Sequence, residues 1–116
     1  MVIDDEQTIA VAVQRALSKE HDVSYCLGAK EALARLEADQ DFDMILCDLM
    51  MPEMTGMDLY EKLTQSLPEQ ARRIVFLTGG AFTDRARTFL EAVPNLRLEK
   101  PFNVQQLRAF VAERVR

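Results

Sequence analysis

The 116-residue sequence predicts an α/β fold of five βα units wound around an open parallel sheet. Two observations predict it. Short apolar runs, the signature of strands buried on both faces, recur along the chain, and the stretches between them carry apolar residues at helical spacing. The composition agrees: 48% hydrophobic and 28% charged residues, with only four glycines and four prolines, describe one ordinary globular domain with one core.

The first strand is expected at residues 1–3. It is short for a central strand, so residues 1–116 are expected to be a module excised from a longer polypeptide, or one whose natural start has been trimmed. Ile9, Val13, Ala16 and Leu17 then share a helical face. A second strand at 23–26 precedes a face of Ala29, Ala32, Leu33 and Leu36, and a third at 44–47 precedes Leu59, Tyr60, Leu63 and Leu67. The fourth strand, 74–77, leads to a short face of Ala86, Phe89 and Leu90 that Pro94 stops. The fifth, 96–98, offers only Leu96 and Leu98, and the last helix presents Val104, Leu107, Phe110 and Val111.

Several function classes are excluded. No run approaches the ~18 apolar residues of a membrane span, so no direct membrane contact is expected. The opening MVIDDE lacks the basic and apolar regions of a signal peptide, which predicts a cytoplasmic location. A net charge of −5 argues against binding nucleic acid. That charge is unevenly spread: residues 1–58 carry four basic and 13 acidic side chains, residues 59–116 ten basic and six acidic. The division suggests a cation site in the first half and a basic, partner-binding face in the second. Cys26 and Cys47 each end an apolar run without metal-site spacing, and read as core thiols.

Ligands of an open parallel sheet bind beyond the carboxyl ends of its strands, where the strand order switches direction. Asp4, Asp5 and Glu6 follow strand one, Asp48 strand three, Thr78, Gly79 and Gly80 strand four, and Glu99, Lys100 and Pro101 strand five. Singly, these are plausible helix caps, turn formers or surface charges. Together they bring carboxylates, a hydroxyl and an ammonium to one edge. Clustered carboxylates must take up protons or bind a cation, and oxygen ligands without histidine or thiolate favour Mg²⁺. A lysine and a threonine facing that ion suit phosphoryl oxygens, which makes the chemistry phosphoryl transfer. Asp48, between the metal carboxylates and Lys100, is the better nucleophile.

The segments VIDDE, DLMMPEMTGMDLYEKL, VFLTGGA and LEKPF, in this order and at this spacing, resemble the receiver domains of two-component response regulators. The resemblance spans essentially the whole chain and implies a flavodoxin-like sheet of order 2-1-3-4-5. It makes Asp48 the phosphoacceptor and Asp4 and Asp5 the metal-binding acids, Asp5 directly and Asp4 more distantly, with the backbone carbonyl of Met50 completing the protein's share of the Mg²⁺ shell. Thr78 becomes the switch hydroxyl, Lys100 the phosphoryl-contacting lysine, and Lys100–Pro101 a cis peptide. Pro52 and Gly56 shape the loop before the third helix, the glycine through its tolerance of unusual backbone angles.

The implied reaction takes a phosphoryl group from a phosphohistidine of a histidine kinase or a histidine phosphotransfer domain. The domain itself would catalyse only its own phosphorylation and dephosphorylation. Receivers of this family often carry an aromatic residue three positions before the lysine; here Arg97 stands there, and a guanidinium is not expected to turn inward. Arg85, Arg87, Arg97 and Arg108 are expected to share a face that docks an acidic partner. The DLMMPEMTGM loop together with LEKPF is most similar to receivers of hybrid sensor histidine kinases. A stand-alone response regulator and a phosphorylation-independent interaction domain of the same fold are the alternatives. A haloacid-dehalogenase-type phosphatase would place its nucleophile in a DxD pattern after strand one, and a flavodoxin would need a phosphate loop where DDEQT stands.

Overall fold

The computed structural model describes residues 1–38, 42–79 and 83–115. Gly80, placed by the sequence among the strand-end residues, lies outside them. The elements are β1 (Val2–Ile3), α1 (Gln7–Leu17), β2 (Tyr25–Cys26), α2 (Ala29–Ala38), β3 (Ile45–Asp48), α3 (Gly56–Ser66), α4 (Pro68–Arg72), β4 (Ile74–Thr78), α5 (Asp84–Ala92), β5 (Arg97–Glu99) and α6 (Val104–Arg114). The strands form one parallel sheet in the order β2-β1-β3-β4-β5, the flavodoxin-like arrangement.

Alternation along the strands explains the continuous apolar runs. Ile3, Ile45, Cys47, Ile74 and Phe76 face one core with Ala32 and Leu36 of α2, Leu59 and Leu63 of α3, and Ala86 and Leu90 of α5. Val2, Leu46, Val75 and Leu77 face a second core with Val13 and Leu17 of α1 and Leu107 and Val111 of α6. Both strand faces are therefore covered, as a parallel sheet requires. Cys26 and Cys47 are free, buried thiols, and burial pushes the Cys47 thiol far up.

Two local features differ from the sequence reading. The helix after β3 ends at Ser66, and beyond its cap Leu67, Pro68 opens the separate short helix α4 from its first position, one that tolerates the missing N–H. Asn95 then ties α4 to β4 by donating from Nδ2 to the carbonyls of Ala71 and Ile74, both at 2.9 Å. The strand at 96–98 lies one residue later, at Arg97–Glu99, with Phe76 opposite Arg97 and Thr78 opposite Glu99.

Candidate phosphoacceptor site

The parallel register sets the strand ends side by side. Ile3 pairs with both Cys26 and Cys47, so Asp4 and Asp48 leave adjacent strands at the same level. Asp48 lies opposite Leu77, which brings Thr78, the buried last residue of β4, to the same edge. Lys100 arrives from beyond β5, its backbone N–H donating to the Thr78 carbonyl at 2.7 Å, and the Lys100–Pro101 peptide is cis.

The side chains converge. One carboxylate oxygen each from Asp4, Asp5 and Asp48 lies within 4.8 Å of the others. Asp4 is fully buried; its Oδ1 accepts the Glu6 N–H at 3.0 Å and its Oδ2 accepts from Lys100 Nζ at 2.8 Å. The same ammonium stands 3.7 Å from Asp48 Oδ2, while Asp48 Oδ1 accepts the Met50 N–H at 3.4 Å. Asp5 is exposed at the rim.

Three carboxylates against one ammonium leave an excess of negative charge in a place poor in water. Burial pushes the Asp48 carboxyl up to about 6; the neighbouring Asp4 and Asp5 charges add to the rise, and Lys100 and the Met50 N–H oppose it. Burial alone would lower the Lys100 ammonium, but its hydrogen bond to Asp4 and the charges of Asp48 and Asp4 outweigh that and raise it. Oxygen donors only, a residual negative charge and an open rim at Asp5 fit a hard divalent cation such as Mg²⁺. The Cys47 thiol beside the site offers no ligand, because its Sγ donates into the Asp48 carbonyl at 3.3 Å within the core.

The loop between Asp48 and α3 is held more tightly than the sequence reading foresaw. Gly56 is required, but not for unusual backbone angles: no described glycine has positive φ. A Cβ there would stand 2.5 Å from the Asp48 carbonyl oxygen and 3.1 Å from Leu49 Cα. The left-handed residue of this loop is Glu53, at φ 68°. Thr55 and Asp58 form a reciprocal capping box at the start of α3, and Asp58 Oδ1 also accepts from Arg85 Nη2 at 2.9 Å. The Thr55-x-x-Asp58 spacing is a capping signal that sequence reading could have used.

Three of the four arginines expected to share a face make ion pairs on the surface. Arg85 pairs with Asp58 on α3 at 2.9 Å, and Arg108 with Glu20 beyond α1 at 2.7 Å. Arg87 pairs with Asp84 within its own helix at 3.3 Å. Arg97 is exposed on β5 and does not turn inward.

A doubly wound parallel sheet with three acids, a threonine and a lysine gathered at its strand ends is the architecture of a signalling receiver domain. The response regulator receiver domain family matches residues 1–112. The chain belongs to that family and is a receiver domain of two-component signalling. Chemotaxis protein CheY1 of Helicobacter pylori is 30% identical over 110 residues, 93% of this chain and 89% of that protein. The aerobic respiration control sensor protein ArcB of Escherichia coli is 27% identical over 113 residues, 96% of this chain but 14% of that protein. Among solved structures, a response regulator receiver domain protein from Clostridium thermocellum superposes with a TM-score of 0.82 at 26% identity, over 98% of this chain and 90% of that one.

Proposed function

We propose that this receiver accepts a phosphoryl group on Asp48 from the phosphohistidine of a histidine kinase or a histidine phosphotransfer domain. The observation that carries the reading is the convergence of Asp4, Asp5 and Asp48 around an ammonium shared between Asp4 and Asp48. An Asp48 carboxylate oxygen attacks phosphorus, the P–N bond breaks, and the imidazole leaves with the bond pair and takes up a proton. The carboxylate must be ionised to attack, and with a pKa of about 6 it is so at neutral pH. Asp4, Asp5, Asp48 and the Met50 carbonyl would hold Mg²⁺, which when bound supplies positive charge to the phosphoryl oxygens. Lys100, held between Asp4 and Asp48, supplies a second positive charge. Thr78 stands at the neighbouring strand end, where its hydroxyl would meet the new phosphoryl group and report it to the segment leading into α5.

Membership of a hybrid sensor histidine kinase is the favoured setting, supported by the matches to ArcB and to the sensory/regulatory protein RpfC of Xanthomonas campestris. A stand-alone regulator is the second reading, favoured by the near full-length match to CheY1. A cytoplasmic location is part of this proposal in either setting. No described helix is long and apolar enough to cross a membrane. Arg85, Arg87, Arg97 and Arg108 are the proposed face for an acidic partner, and an Arg97→Ala variant should then bind that partner more weakly.

Incubation with acetyl phosphate and Mg²⁺ followed by intact mass tests the reading. One phosphoryl adduct, absent from Asp48→Asn, is expected; an adduct that persists in the variant, or none in the wild type, would overturn it.

A further inference from the structure

Asp58 joins the loop that follows Asp48 to the first turn of α5. Its Oδ2 accepts the Thr55 N–H at 3.0 Å, its own N–H donates to Thr55 Oγ1 at 3.1 Å, and its Oδ1 accepts from Arg85 at 2.9 Å. Thr55 adjoins Gly56, whose N–H donates to the Leu49 carbonyl at 2.9 Å and whose α-carbon lies against the Asp48 backbone with no room for a Cβ. A displacement of the α3 N-terminus therefore reaches Asp48 directly.

Arg85 lies in the first turn of α5, two residues after Thr83, which caps that helix by accepting the Ala86 N–H at 3.1 Å. This helix follows the strand that ends on Thr78. Further along, the same two helices meet through Tyr60 and Phe89, edge to face at 5.4 Å, with Tyr60 tilted against Phe76 of β4 and Phe89 edge-on to it. The aromatic contact fixes the middle of the seam, and the Arg85–Asp58 pair closes the end nearest the acids. The pair is partly exposed, but it is charge-assisted and joined to a capping box, so one geometry is favoured over many. Arg85 and Thr55 hold the Asp58 carboxyl below the usual carboxylate range.

Resting on the phosphoacceptor reading, we propose that Arg85 is a positioning residue for the acceptor loop, tying the first turn of α5 through Asp58 to the segment that carries Asp48 and Met50. Without that tie the Thr55 cap loses one of its two fixed ends, and the loop samples positions that do not complete the acid site. Because the tie runs from α5 to the loop, it works in both directions: whatever binds or moves α5 changes the readiness of Asp48, by the reciprocity of linked equilibria.

Hydrogen exchange in the metal-free protein and titration with Mg²⁺ and beryllofluoride, a phosphoryl mimic, test this together. In Arg85→Ala, exchange of the Thr55 and Gly56 amides should accelerate about threefold or more, and beryllofluoride capture should weaken about two- to fivefold, the size set by one partly exposed charged pair. Arg85→Lys should recover most of both. Asp58→Asn, which keeps an amide oxygen for the cap, should match Arg85→Ala, and the double variant should be no worse than either single one. Unchanged exchange and capture in Arg85→Ala, or additive losses in the double variant, would overturn the proposal. Failure of the wild type to capture beryllofluoride would count against the acceptor reading instead, and the metal-free exchange arms would still decide the role of Arg85.

Discussion

Gly56 and Asp48 touch through their backbones: the glycine α-carbon lies so close that a Cβ built on it would stand 2.5 Å from the Asp48 carbonyl oxygen. The neighbour is main chain at the end of a buried strand and cannot give way as a flexible side chain would. Gly56→Ala should therefore cost about 2–4 kcal/mol in urea unfolding, through overpacking, and slow acetyl phosphate labelling of Asp48 by displacing the loop. A variant as stable as the wild type would show that the α3 N-terminus is free to retreat from Asp48.

Lys100 neutralises an acid that has no access to water. Asp4 is fully buried, and its only described ammonium partner is Lys100 at 2.8 Å. Lys100→Met keeps the aliphatic stem but leaves the buried charge unpaired, a loss expected at about 2–4 kcal/mol by chemical denaturation without metal. Added Mg²⁺ should shrink the loss, since a divalent cation among the same carboxylates replaces the missing positive charge. Equal stabilities of the two proteins without metal would mean that Asp4 finds other compensation.

The parts of this molecule legible in its sequence are those built from local period and from strand-end placement. Ile45, Leu46 and Cys47 read as a doubly covered strand because they are apolar whichever way they point. Asp4, Asp48, Thr78 and Lys100 were readable because a parallel sheet delivers its strand ends to one edge. Helix α4 was not legible: five residues make too short a face to show a period, and Pro68 reads as a stop although it sits at a first helical position. The shift of β5 by one residue follows from its mostly exposed pattern, which leaves only Leu98 half-buried to set the register. The Arg85–Asp58 pair spans 27 residues of sequence, a distance over which local spacing carries no signal. Gly56 was found for a conformational reason that the structure replaces with a steric one.

Glu53 occupies the left-handed region at φ 68°, where a Cβ meets the following carbonyl. Its contact with Lys30 at 3.7 Å is between two exposed side chains and contributes little. Glu53→Gly should raise stability by up to about 1 kcal/mol, less what the added freedom of the unfolded chain removes. Glu53→Ala is the control: it loses the same ion pair, keeps the Cβ, and should give no gain. A thermal melt in which both variants behave alike would locate the effect in the ion pair and not in the backbone.

The Asp48 carboxyl gives the metal-free protein a pH dependence whose sign is fixed by the direction of its shift. Its pKa rises from the ordinary value of 3.8 to about 6, chiefly through burial. A raised value means that the fold favours the protonated form. Stability from this group is complete below the unfolded value, declines as pH climbs from about 4 through 6, and is lost above that. At 1.36 kcal/mol per unit, tempered by the partial exposure of the side chain, the loss amounts to about 1–3 kcal/mol at neutral pH. Asp48→Asn cannot ionise and escapes it. The variant should thus unfold at higher urea than the wild type above about pH 7, and the gap should close as pH falls towards 4. Mg²⁺ should also close it, by stabilising the ionised wild type and acting less on the variant. A gap that stays constant across this range, with or without the cation, would show that the charge on Asp48 is not what the fold opposes.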